Sequence, residues 1–121
     1  MIILNLTQHK ATKEQLEACV IDLPEKDREF LIKELTFDEI PTKEEIRRRA
    51  ENIGLIPGQF GYMYAMIGGA PFLMSALEKV LIREHISPLY AFSKRESVEV
   101  NKEGNVIKTS VFTHKGFISA C

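Results

Sequence analysis

The apolar positions of this chain follow two patterns, and the pattern changes along its length. Short unbroken runs, "IILNL" from Ile2, "YMYAMI" from Tyr62 and "SPLYAFS" from Ser87, have the length and flanks of strands buried on both faces. Pro88 opens the third run, at a position that proline tolerates. The last third reads differently. In "SVEVNKEGNVIKTSVFT" apolar and polar residues alternate on either side of "NKEGN", which predicts an antiparallel hairpin with a Gly/Asn turn and one wetter face.

Helical spacing fills the intervals. Thr12 and Gln15 have capping-box spacing and predict a short helix from about Lys13, and "VIDL" reads as a short second strand. In "DLPEKDREFLIKEL", Asp22 can cap and Pro24 fits the first turn, with Phe30, Leu31, Ile32 and Leu35 on the buried side. Thr42 and Glu45 are a second capping-box pair. They open "KEEIRRRAENIG", a polar helix with a narrow stripe of Ile46, Ala50 and Ile53 and a stop at Gly54. After the second buried run, Leu73, Met74, Leu77, Val80 and Leu81 draw one wide apolar face. The order β-α-β-α-α-β-α-β plus a hairpin indicates an α/β fold with a mostly parallel sheet and a C-terminal antiparallel β-hairpin. It is read as one domain, 1–121, with a core over 1–95 and a hairpin extension over 96–121.

Composition narrows the classes of function. The 121 residues are 45% apolar and 27% charged, as in folded globular chains. Sixteen basic residues against 17 acidic ones give a net charge of -1, so no global basic field grips duplex DNA. No run approaches the roughly 20 apolar residues of a membrane span, and "MIILNLTQHK" has no charged leader. The two cysteines, Cys19 and Cys121, have no metal-ligand spacing and are expected to be reduced in a cytoplasmic protein, with Cys19 packed at a helix end.

In an open parallel sheet, ligands sit beyond the carboxyl ends of the strands. Three such ends are expected: "LTQH", "GGAP" and "FSKRE". Thr7 and Gln8 offer hydrogen bonds to a base or sugar, and His9 can move protons. Gly68 and Gly69 let backbone approach a ligand ahead of a helix start, although Pro71 removes one N–H donor. The stretch is neither a dinucleotide fingerprint nor a P-loop, so taken alone a plain strand-to-helix turn is the favoured reading. Ser93, Lys94, Arg95 and Glu96 bring a hydroxyl, two cations that can meet phosphate and a candidate base. On an extended chain Lys94 and Arg95 point to opposite faces. Arg47, Arg48 and Arg49 fit a solvated helix face, with Glu44 and Glu45 as ion-pair partners four residues away. The three histidines show no metal spacing, and no cofactor is expected.

With these loops the chain resembles the small, single-domain CRISPR-associated Rossmann-fold proteins, which look like stand-alone relatives of cyclic-oligoadenylate sensor domains. The likeness lies in "NLTQH", "IGGAPFLMSALEK" and "YAFSKRE" and spans most of residues 1–100. It implies a Rossmann-like three-layer sandwich and a homodimer cradling a ring of adenylates. The ligand contacts it implies are Thr7, Gln8, Gly68, Gly69, Ser93, Lys94 and Arg95. If the ring is cleaved to end an antiviral signal, Lys94 and Arg95 would stabilise charge and His9 or Glu96 would assist proton transfer, with no metal required. The alternatives are a dimeric interaction module without a small ligand, and a nucleotide-binding protein of flavodoxin-like form.

Overall fold

A computed structural model describes residues 1–120. Four parallel strands form its centre: β1 (Ile3–Leu6), β2 (Val20–Ile21), β3 (Tyr64–Ile67) and the first part of β4 (Ser87–Lys102). The last strand, β5 (Asn105–Ser119), pairs antiparallel with β4 along nearly its whole length. The sheet order is β2-β1-β3-β4-β5. The α/β class, the mostly parallel sheet and the antiparallel C-terminal pair all agree with the sequence pattern.

The helices are α1 (Lys13–Glu17), α2 (Glu25–Leu35), α3 (Lys43–Gly54), a single turn α4 (Ile56–Phe60) and α5 (Pro71–Arg83). The Thr12–Gln15 box forms in both directions, with the Gln15 N–H donating to Thr12 Oγ1 and the Thr12 N–H to Gln15 Oε1. The second box is half made. Thr42 Oγ1 accepts from the Glu45 N–H, but the Glu45 carboxylate turns to Arg49 at 2.8 Å. Arg49 also donates to the carbonyls of Lys33, Glu34 and Thr36 at the end of α2 and lies 4.2 Å over the Phe37 ring. Within the arginine run, then, Arg49 ties two helices together, and Arg48 reaches Glu45, three residues away, at 3.8 Å.

Strand alternation divides the core. Leu4, Leu6, Ala65 and Ile67 face the buried sides of α2, α3 and α5, including Leu31, Ile53, Leu73 and Leu77. Each such side chain contributes roughly 1.5–3 kcal/mol on burial. Ile3, Val20, Met66 and Leu89 face the other way, against Ala11, Tyr64 and Phe117. The β1–α1–β2 connection runs opposite to the two that follow, so right-handed crossovers put α1 on this second face. It contributes no buried side chain there, and the layer is thin.

Four local expectations are corrected. Gly54 is no left-handed helix stop. α3 does end at Gly54, as expected, but there an added Cβ would sit 2.3 Å from Val80 Cγ1, so glycine is needed for the close approach of α5. Asp22 does not cap α2, which starts after Pro24 without a side-chain cap; its carboxylate binds Asn5 and the Ala11 N–H instead. Cys19 is exposed rather than packed, in a left-handed turn at φ 71 between α1 and β2. Finally, the third run is buried only at Pro88 and Leu89, and its strand does not end in "FSKRE". It continues as β4 through the expected 95/96 boundary into the hairpin, past a bulge beside Phe92 and Ser93. The hairpin turns at Glu103 and Gly104, with φ of 53 and 78, the two-residue geometry suited to strand twist.

Candidate functional site

Strand order places one position apart from the rest. The chain runs from β1 out to β2, then returns past β1 to β3, so the connections leave the carboxyl ends of β1 and β3 in opposite directions. A crevice is expected at such a switch point. A cleft of about 610 Å³ opens there, lined by Thr7, Gln8, His9 and Lys10 after β1 and by Gly68 and Gly69 after β3. Its remaining wall includes Met66, Tyr90 and Ala91. A second groove of about 500 Å³ lies between α3 and α5, away from all strand ends.

The β1 loop is shaped by a residue that the sequence pattern passed over. Asn5 is fully buried within the apolar strand. Its amide donates to the His9 carbonyl and to Asp22 Oδ1, both at 2.8 Å. Its carbonyl oxygen accepts from the Thr7 N–H at 2.9 Å and the Thr7 hydroxyl at 2.7 Å. All four hydrogen-bonding positions of the side chain are therefore used. The loop is folded around Asn5, and the Thr7 hydroxyl proton is already committed, leaving lone pairs to face a ligand. The Gln8 side chain donates to Thr36 Oγ1 at 3.3 Å and ties the loop to the end of α2. An asparagine inside a run buried on both faces was the available signal, because such a side chain must find partners.

Arg28 was also missed. It sits on α2 and is 6% exposed. One nitrogen donates to the Gln8 carbonyl at 3.3 Å; the other, Nη1, is buried with no partner among the described residues. Among the described residues no carboxylate pairs with it. The guanidinium is held under the loop by the Gln8 carbonyl, the described lining of the cleft contains no acid, and Lys10 is exposed at its rim.

The two glycines have different reasons to be glycine. Gly69 has φ +152, where a side chain is strained, and a Cβ would meet Met74 Cε at 3.4 Å. Gly68 has no such constraint, and a Cβ there would meet only Thr7 Cγ2, at 3.6 Å. What Gly68 leaves open is the gap between the β1 and β3 loops. The amino-terminal end of α5 follows at once, with Pro71 in its first turn. Across the cleft, the Tyr90 hydroxyl donates to Glu78 Oε2 at 2.5 Å. Burial, and then this bond, push its pKa well up, so the phenol is neutral and its ring is the part left for a ligand.

The structure brings together Thr7, Gln8, His9, Gly68 and Gly69. It does not bring Ser93, Lys94, Arg95 or Glu96 into the lining, because β4 carries them outward along the hairpin. Lys94 and Glu96 share one face of that ribbon, Ser93 and Arg95 the other. Glu96 is engaged with Lys115 at 3.0 Å and accepts from Thr113. Among the described residues no cluster of His, Cys, Asp and Glu could hold a metal.

Fold and cleft together define an α/β protein with an acid-free crevice at the switch point of a mostly parallel sheet. A family model described as "Uncharacterized protein MJ1673 family" matches residues 1–118, and the chain belongs to that family. No curated protein and no solved structure gave a significant match. No helix among the described residues is long and apolar enough to cross a membrane.

Proposed function

We propose that this protein binds a small nucleotide of the cyclic-oligoadenylate type in the cleft between the carboxyl ends of β1 and β3. The observation that carries the reading is the described lining at that switch point: two glycines and a cation, no acid, and nearby an arginine whose buried Nη1 has no partner. Phosphate would lie over Gly68 and Gly69, near Lys10 and within the field of Arg28. A base would lie against Tyr90. The strand order supports a Rossmann-like sheet, and a Rossmann-like sandwich fits a nucleotide ligand whether the ring or a mononucleotide is held. In the ring reading two copies close around one ligand, in CRISPR-linked signalling.

Turnover is a second reading, favoured by His9, the one imidazole lining the cleft. A ribose 2′-hydroxyl would attack its own phosphodiester, forming a 2′,3′-cyclic phosphate as the bond to the 5′-oxygen breaks. His9 would take the attacking proton, and the departing oxygen would gain one from water.

Gly68→Ala tests the site. The added methyl fits the fold but fills the gap between the loops, so stability should stay within about 0.5 kcal/mol of wild type while calorimetric binding of cyclic tetra-adenylate weakens. Equal binding by both proteins would refute this placement of the site. Linear products formed in EDTA and lost in His9→Ala would establish turnover; tight binding without products would leave a sensor or sponge.

A further inference from the structure

The hairpin leaves the body of the protein as a two-stranded ribbon, and its two faces differ. From Ser93 onward β4 pairs only with β5, because β3 contacts β4 no further than Leu89. Directly opposed residues share a face. One face carries Val98 opposite Thr109, Val100 opposite Ile107 and Glu96 opposite Val111, with Lys102 opposite Asn105 at the tip. The other is mostly polar, with Ser97 opposite Ser110, Glu99 opposite Lys108, Arg95 opposite Phe112 and Asn101 opposite Val106, its apolar Val106 and Phe112 standing apart from each other. On the first face Val98, Val100, Ile107 and Val111 are all between 38% and 49% exposed. A lone two-stranded ribbon is marginal in water, and one with an uncovered β-branched face needs a cover.

The charges say what the cover is. Along β4 the apolar face reads Glu96, Val98, Val100, Lys102: an acid at one end, a base at the other, two valines between. Two copies can stack this face about a two-fold axis in two aligned ways. An axis along the strands sets Glu96 against Val111 and Lys102 against Asn105 of the second copy, so no ion pair forms across the contact, and Glu96 keeps only Lys115 of its own chain. An axis across the strands at the level of residue 99 reverses one ribbon on the other. Val98 then meets Val100 of the second copy, and Glu96 meets Lys102, twice over by symmetry. Along β4 the face is complementary to its own reverse, while on β5 Ile107 meets Thr109 and Val111 meets Asn105 of the second copy. The ribbon between 93 and 114 carries both signs in near balance, four Lys/Arg and three Asp/Glu, which favours no strongly charged partner.

We infer that the apolar face of the β4–β5 ribbon is the contact between two copies of this chain, packed face to face with the ribbons antiparallel. This holds whether or not the cleft takes a nucleotide.

Sedimentation of the full chain tests it without any ligand. The expected mass at tens of micromolar is twice the 13.8 kDa of the chain. Val100→Lys with Ile107→Lys should give a monomer whose thermal unfolding remains cooperative, since the core lies elsewhere. Lys102→Glu sets like charges opposite one another and should weaken the dimer by roughly tenfold at low salt. Glu96→Lys with Lys115→Glu, which keeps the pair within the chain, added to Lys102→Glu restores opposite charges across the contact and should recover most of the loss. A monomer at every concentration overturns the proposal, as does a dimer that survives both lysines. If the charge reversal fails to recover what Lys102→Glu loses, the antiparallel arrangement is wrong.

Discussion

Replacing Asn5 with alanine should cost more than any other single polar change in this protein. The side chain is fully buried and makes four hydrogen bonds, one of them to the Asp22 carboxylate. A bond to a charged partner contributes about 1.5–3 kcal/mol and a neutral one about 0.5–1.5. The contributions do not add fully, because Thr7 and His9 lie near the surface and water can replace part of what is lost. A net loss of about 3 kcal/mol follows, and a fall in melting temperature of roughly 10 °C for a domain of this size. Urea unfolding followed by circular dichroism reads it directly, with a lower midpoint and an unchanged slope. Asn5→Asp should be worse at neutral pH, since a carboxylate would face Asp22 and offer it no proton. Either variant should also weaken ligand binding, because the Thr7–His9 loop loses the group around which it folds. A loss below about 1 kcal/mol for Asn5→Ala would refute the claim that this residue builds the loop.

Three further outcomes follow from the same geometry. Gly54→Ala improves helix propensity by about 1 kcal/mol, yet the 2.3 Å approach to Val80 should make it destabilising by about 1–3 kcal/mol in urea unfolding; Val80→Ala should then recover part of the loss. Arg49→Lys keeps the charge but cannot reproduce the fork that gives Nη1 to the carbonyls ending α2 and Nη2 to Glu45, and should lose about 2 kcal/mol by the same measurement. Tyr90 has its pKa raised by burial and by Glu78, so its contribution is intact below the ordinary tyrosine value of about 10 and is lost as the pH rises above it. Tyr90→Phe should therefore show a smaller drop in stability between pH 9 and pH 11 than wild type does.

The elements were legible where one local signal decided them. Thr12 and Gln15 announced α1, the 3–4 spacing after Leu73 announced α5, and alternation around Glu103–Gly104 announced the hairpin turn. The junction between β4 and the hairpin was not legible. "SKRE" is polar because it runs along a solvated ribbon, and polarity reads the same there as in a turn at a strand end. Gly54 misled for a related reason: a glycine at the end of a helix suits a left-handed stop and a close helix crossing alike, and only the position of Val80 separates them. Of the site, the loops after β1 and β3 could be named from residue type, but their adjacency depends on strand order, which no local pattern encodes. Asn5 escaped because it was read as part of an unbroken apolar run, and Arg28 because nothing local marks one arginine of a charged helix as buried.

The central claim is that an anionic nucleotide occupies the cleft beside Gly68. Thermal shift with cyclic tetra-adenylate in EDTA, on wild type and Gly68→Ala side by side, tests it most directly. At a hundred times the dissociation constant a ligand adds about 2.7 kcal/mol, or roughly 10 °C here. The account predicts that shift in wild type and a much smaller one in Gly68→Ala. No shift in wild type, or equal shifts in both, would contradict it.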